Sequence, residues 1–144
     1  MADDIGAIAR VFTQEVPEIA SGSIEIKAIA RKSGYRSKVA VQSHDPTLDC
    51  IEACVGVRGR RINNIVDALG GERIDLVRWS DSPEQLIANA LQPAQVDRIA
   101  VFPGERRAVV FVKLDEVSLV LGRGGETLWL ASELSGWKID VEGQ

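Results

Sequence analysis

One histidine, two cysteines, one methionine and no long apolar run set the limits of this 144-residue chain. A lone His44 leaves little for acid–base chemistry at neutral pH. Two thiols without a secretory leader make no disulfide framework, so a reducing cytoplasm is the expected setting. The opening MADDIGAIAR starts with acids instead of the basic and apolar regions of a secretory signal. The longest uncharged stretch, Gln85 to Val96, is a dozen residues and contains Gln, Asn and Pro, too short and too polar to span a bilayer. Disorder is excluded as well, because 45% of the residues are apolar and the net charge is only −4. A soluble globular chain remains, long enough for one medium domain or two small ones.

An acidic balance argues weakly against a polyanionic partner, since the distribution of charge matters more than its sum. Residues 27–38 carry Lys27, Arg31, Lys32, Arg36 and Lys38 with no acid, and Arg58, Arg60 and Arg61 cluster between Gly56 and Arg61. From Asp81 onward acids outnumber bases ten to six, so the basic segments belong to the first half. Solvated basic faces on an acidic protein would give the same counts.

The chain repeats itself. Val55-Gly56-Val57-Arg58-Gly59 and Leu121-Gly122-Arg123-Gly124-Gly125 share an apolar-GxxG pattern with their first glycines 66 positions apart. After the first, Ile62, Ile65, Val66 and Leu69 fall on one helix face, and Gly70-Gly71 ends it. After the second, Leu128, Ala131 and Leu134 do the same before Gly136. Both units close on a strand-like run containing Ile-Asp (Ile74-Asp75 and Ile139-Asp140). Upstream, Ser23–Ala30 and Lys38–Ser43 flank a Gly34-Tyr35 turn, with Ile24, Ile26, Ala28 and Ala30 expected on one face. Arg98–Phe102 and Ala108–Val112 flank Pro103-Gly104. A helix precedes each pair: Ile5, Ile8, Ala9 and Phe12 stopped by Pro17, and a second opened by Ser82 as N-cap and Pro83 at N1. The predicted order is helix–strand–strand–helix–helix–strand, twice. The fold class is α+β, with helices on one face of each three-stranded sheet and domains at 1–79 and 80–144.

A GxxG turn at the mouth of a helix lets another backbone approach and presents unpaired N–H groups, which attract phosphate together with the helix dipole. Arg58, Arg60, Arg61 and Arg123 would add charge-assisted contacts. That six-element frame with that loop is the signature of KH domains, which clamp about four backbone nucleotides on the GXXG loop. The strand order points to the bacterial-type (type II) topology.

Longer strings carry a more specific likeness. Phe12-x-x-Glu15-Val-Pro-Glu-Ile19, Arg36-Ser-Lys38-Val-Ala-Val41, Ala53-Cys-Val-Gly-Val-Arg-Gly59, Gly71-Glu-Arg-Ile-Asp75 and Leu130-Ala-Ser-Glu-Leu-Ser-Gly-Trp-Lys-Ile-Asp140 resemble the tandem KH region of the NusA family of transcription factors. The resemblance covers nearly the whole chain. It implies a cytoplasmic single-stranded-RNA-binding module that meets the transcript emerging from RNA polymerase and modulates pausing, termination or antitermination. RNA polymerase and other transcription factors are the implied protein partners. Bacterial relatives carry a polymerase-binding domain and an OB-fold domain ahead of the KH pair. A chain whose Met1 lies close to the first KH helix is expected to be the short archaeal-type form or an excised fragment. Glu52 stands where relatives commonly have Gly. The second loop is followed by Glu126, Thr127, Leu128 and Trp129, so its grip on RNA is expected to be the weaker one.

The expected RNA site is therefore Gly56, Val57, Arg58, Gly59, Arg60 and Arg61 in the first half and Gly122, Arg123, Gly124 and Gly125 in the second, with Arg36 and Lys38 extending the positive track. Trp129, opposite Asn63 in the repeat, is either packing or a platform for a base, whereas Trp137 reads as core. No metal or cofactor is expected. Cys50 and Cys54 with His44 lack zinc spacing and fit a buried helix better. No enzyme is expected either, because Gly122–Thr127 lacks both the Lys-Ser/Thr of a P-loop and the last glycine of a dinucleotide fingerprint. The alternative class is a KH-fold scaffold acting mainly through protein–protein contacts in transcription or ribosome-assembly complexes.

Overall fold

The computed structural model describes residues 5–144; the paired acids Asp3 and Asp4, expected beside a helix start, lie outside them. The chain forms two compact units, one ending at Trp79 and one beginning at Ser80. In the first, α1 (Ile5–Glu15) and α2 (Pro17–Ala20) precede β1 (Ile24–Lys32), β2 (Arg36–Ser43), α3 (Cys50–Val55), α4 (Arg60–Ala68) and β3 (Arg73–Arg78). The second follows the same order without a counterpart of α2: α5 (Pro83–Leu91), β4 (Arg98–Phe102), β5 (Arg107–Val112), α6 (Val117–Leu121), α7 (Glu126–Ser135) and β6 (Lys138–Gly143). Each sheet has its second strand in the centre, antiparallel to the first and parallel to the third.

Local chemistry accounts for the element ends. Ser82 accepts from the Gln85 amide with Pro83 behind it, as expected of an N-cap and N1 pair. Asp49 caps α3 by accepting from the Ile51 and Glu52 amides. The Glu52 amide first, then the Ile51 amide and Arg78, hold the Asp49 carboxyl below the ordinary carboxylate range. Pro17 ends α1 but does not end helical structure. It takes the N1 place of α2, where its missing N–H costs nothing.

Strand β1 departs from simple alternation. Its register with β2 runs Ile26↔Val41 and then Ala28↔Ala40, leaving Lys27 as a bulge. One extra residue moves the following side chains to the other face. Ile29 therefore packs against the core formed by Ile8, Phe12, Val39, Val41 and Ile65, where Ala28 had been expected.

Buried polar groups tie the strands together. Glu72, 2% exposed, accepts from Arg31 Nε and Nη2, from the Gly34 amide at 2.9 Å and from Ser37 Oγ at 2.6 Å, which locks the β1–β2 turn to the start of β3. Burial raises the pKa of this carboxyl, but Arg31, Ser37 and Gly34 outweigh it, and the net shift is downward. The repeated Ile-Asp pair has a structural reason. Asp75 faces Arg36 across the β2–β3 pair, and Asp140 takes Arg107 Nε at 3.0 Å across β5–β6.

Candidate nucleic-acid interface

The two glycine loops follow the same backbone path. Gly56 has φ 77° and ψ 173° and Gly122 has φ 71° and ψ −176°. The third positions, Arg58 (φ 56°, ψ 29°) and Gly124 (φ 62°, ψ 20°), are left-handed, as are the fourth, Gly59 and Gly125. Hydrogen bonding repeats as well. The Gly56 amide donates to Glu52 O and the Gly59 amide to Gly56 O, while Gly122 donates to Ser118 O and Gly125 to Gly122 O.

The glycines do different things within that path. A methyl on Gly56 would stand 2.7 Å from Arg61 Cγ, and one on Gly122 would stand 2.5 Å from Thr127 Cβ. The first glycine of each loop is therefore required by close approach of the following helix. The last is not. Gly125 has nothing within 4 Å of such a methyl, and Gly59 meets only ordinary contacts at 3.6 Å and beyond. Each last glycine leaves open space where a helix begins, while the first amides of α4 and α7, those of Arg60 and Glu126, donate to the Val57 and Arg123 carbonyls of the loops.

Val57, Arg58 and Arg60 are exposed around the first loop, Val57 at 83%. They line a hollow of about 770 Å³ together with Arg61, Asn63 and Asn64. A second hollow of about 520 Å³ lies on the α3 side and is lined by Ile51, Glu52, Ala53, Val55, Gly56, Val57 and Arg61. The first loop thus has a cationic flank and a mostly apolar flank. Arg123 and Gly124 are exposed in the second loop, with Glu126 opening α7.

Arg36 and Lys38 do not join this surface. Lys38 is 2% exposed and donates to Asp75 at 3.2 Å. Burial lowers the pKa of its ammonium while Asp75 works in the opposite direction. Arg36 lies 3.5 Å from the same carboxylate with its side chain 20% exposed. This corrects the expected positive track: both cations on one face of β2 meet a carboxylate on the adjacent strand. Arg61 Nη1 donates at 2.8 Å to both Glu18 Oε1 and the Ala53 carbonyl. Sequence spacing missed these pairings because they cross between elements; the repeated Ile-Asp was the available signal for those at Asp75.

Trp137 is core, 7% exposed, with the Arg106 guanidinium 5.2 Å from its ring centre. Trp129 is 43% exposed on α7, at the place Asn63 holds on α4. Cys50 and Cys54 are both buried, and burial pushes the Cys54 thiol up to about 12. His44 Nε2 contacts Glu25 Oε1 at 2.8 Å. Among the described residues no group of three or more His, Cys, Asp or Glu side chains is arranged to hold a metal, and no helix is long and apolar enough to cross a membrane.

Comparison with known proteins gives matches over both units. Residues 3–79 match the NusA-like first KH domain and residues 83–144 the NusA-like second KH domain. The transcription termination/antitermination protein NusA of Thermus thermophilus is 49% identical over 135 residues, 94% of this chain and 35% of that protein. Those of Halalkalibacterium halodurans and Bacillus subtilis are 43% and 42% identical, each over 96% of this chain and 36% and 38% of their own lengths. The chain thus spans little more than a third of these relatives. The crystal structure of APE1850 shares the fold, with a TM-score of 0.69 at 21% identity, covering 94% of this chain and 95% of that one.

Proposed function

The chain belongs to the NusA-like KH family, and on that footing we propose that it binds single-stranded RNA through its two glycine loops, as part of the control of transcription termination and antitermination. The observation that carries the reading is the matched pair of loops. Each leaves open space at its last glycine, directly before a helix of nine or ten residues. A sugar–phosphate chain can approach such a surface, and the helix start favours the anion.

Arg58 and Arg60 at the first loop and Arg123 at the second neutralise phosphate in this reading, with Gly56, Val57, Gly59, Gly122, Gly124 and Gly125 forming the bed. The apolar hollow beside α3 suits the face of a base, and Asn63 offers its amide to base edges, whereas Asn64 Nδ2 donates to Glu15 Oε1 at 2.8 Å. The second loop has one arginine and a following glutamate, so the first supplies most of the affinity. The transcript leaving RNA polymerase is the natural substrate of such a module.

Equilibrium binding of a mixed-sequence single-stranded RNA, set against the corresponding duplex, tests the proposal. Three phosphate-neutralising cations predict a log–log salt slope of about −2, at roughly −0.7 per contact for single strands. Equal affinity for duplex, or a flat salt response, would reject it.

A further inference from the structure

Arg61 sits in the first turn of α4, among the cations a sequence reading assigns to phosphate, yet its guanidinium turns toward α2 and α3. One nitrogen, Nη1, donates at 2.8 Å to Glu18 Oε1 on α2 and at 2.8 Å to the Ala53 carbonyl on α3. Ala53 lies in the last turn of α3, where carbonyls lack helical partners and the dipole favours a cation. The stem of the side chain closes on the first glycine: a methyl on Gly56 would meet Arg61 Cβ at 2.9 Å and Cγ at 2.7 Å. Its guanidinium therefore joins three helices while its stem seats the loop between two of them.

The second unit shows which part of this arrangement is shared. Thr127 takes the place of Arg61, directly after the first residue of α7, and crowds Gly122 in the same way. It carries no charge. What the two loops have in common here is a side chain pressed on the first glycine, not a cation. Moving the Arg61 guanidinium to a phosphate would break two charge-assisted hydrogen bonds and leave the Ala53 carbonyl without this donor.

We propose that Arg61, held by Glu18, is a positioning residue that keeps the first glycine loop in its RNA-receiving shape and neutralises no phosphate. The proposal rests on the RNA-binding reading for its affinity readout alone.

Three single substitutions in the whole chain test it: Glu18→Gln, Arg61→Lys and Arg61→Thr, each titrated with a single-stranded RNA over a salt series. Loosening one partly exposed charge-assisted pair should weaken binding about five- to tenfold in all three. The salt slope should not change. A phosphate-bound Arg61 gives the opposite pattern. Glu18→Gln would free a cation and tighten binding, Arg61→Lys would keep its charge and bind like the parent, and Arg61→Thr would make the slope shallower by about 0.7. Any of these three results overturns the proposal. Amide hydrogen exchange across Gly56–Gly59 supplies a readout independent of RNA. It should be faster in Glu18→Gln while the circular dichroism spectrum stays that of the parent, and unchanged exchange would overturn the proposal. If the parent chain binds no RNA, the functional reading fails, while the exchange result still decides the role of Arg61.

Discussion

Arg58 and Gly124 adopt one backbone conformation, φ 56° and ψ 29° against φ 62° and ψ 20°, each at the third place of a glycine-bracketed loop. The left-handed region costs a residue with a side chain about 1–2 kcal/mol. The second unit avoids that cost with glycine; the first keeps an exposed arginine there. Local strain at an exposed cation fits a binding role better than a structural one.

Arg58→Gly separates the two effects. Relief of strain, less the greater unfolded-state freedom of glycine, should leave stability unchanged or raise it by up to about 1 kcal/mol. RNA affinity should fall several-fold, and the salt slope should become shallower by about 0.7. Thermal melting and a salt titration check both halves. An unchanged slope would remove Arg58 from the phosphate contacts.

The glycines should sort by position. Gly56→Ala and Gly122→Ala each place a methyl within 2.7 Å of a packed helix side chain, so they should destabilise by about 2 kcal/mol or more. Gly59→Asp with Gly125→Asp meets no such clash. Aspartate is among the residues that visit left-handed backbone at least cost, so circular dichroism should keep the shape of the parent while melting falls by some degrees. RNA binding should be abolished, because a carboxylate then occupies the phosphate position. A folded double variant with normal binding would show that the loops are not the clamp.

Glu72 sets an acid limit on the first unit. Its folded carboxyl is held below the ordinary value of 4.5, so its contribution is complete above that pH and is lost as pH falls through the lower folded value. Glu72→Gln should cost about 3 kcal/mol near neutrality, because it removes the carboxylate that Arg31, itself largely buried, is held against. Denaturation curves of parent and variant should run parallel from about pH 5 to 8 and converge below about pH 4.5. A gap that stays constant into acid would contradict the role given to the Arg31–Glu72 pair.

The repeat was legible because glycines and apolar spacing are local signals. Gly56 and Gly122, Gly70 and Gly136, and the Ser82-Pro83 start each report a backbone event within a few residues. The partners of charged side chains are not local. Lys38 and Arg36 read as surface cations until β2 and β3 pair in parallel and put Asp75 opposite Lys38. Only the fold brings Arg31, Gly34 and Ser37 around Glu72. The bulge at Lys27, which exchanges Ala28 for Ile29 in the core, has no local marker such as glycine. The pair of loops was therefore legible in the sequence, but not which cations are paired within the fold.

Both thiols should be inert in the folded chain. Burial raises the Cys50 pKa, and burial with the nearby Cys50 pushes Cys54 up to about 12 from an ordinary 9.0. At pH 8 the Cys54 thiolate is then about a thousandfold scarcer than in an exposed cysteine. Alkylation by iodoacetamide should be slow for both and should accelerate together across the unfolding transition of the first unit. Rapid labelling of one thiol in native buffer would contradict the packing of α3.

The most direct measurement is a backbone amide NMR titration of the whole chain with a short single-stranded RNA. The account predicts the largest shifts at Gly56–Arg60, smaller ones at Gly122–Glu126, and a first-loop response that saturates at lower RNA concentration. Shifts confined to other surfaces, with both glycine loops silent at saturating RNA, would contradict it.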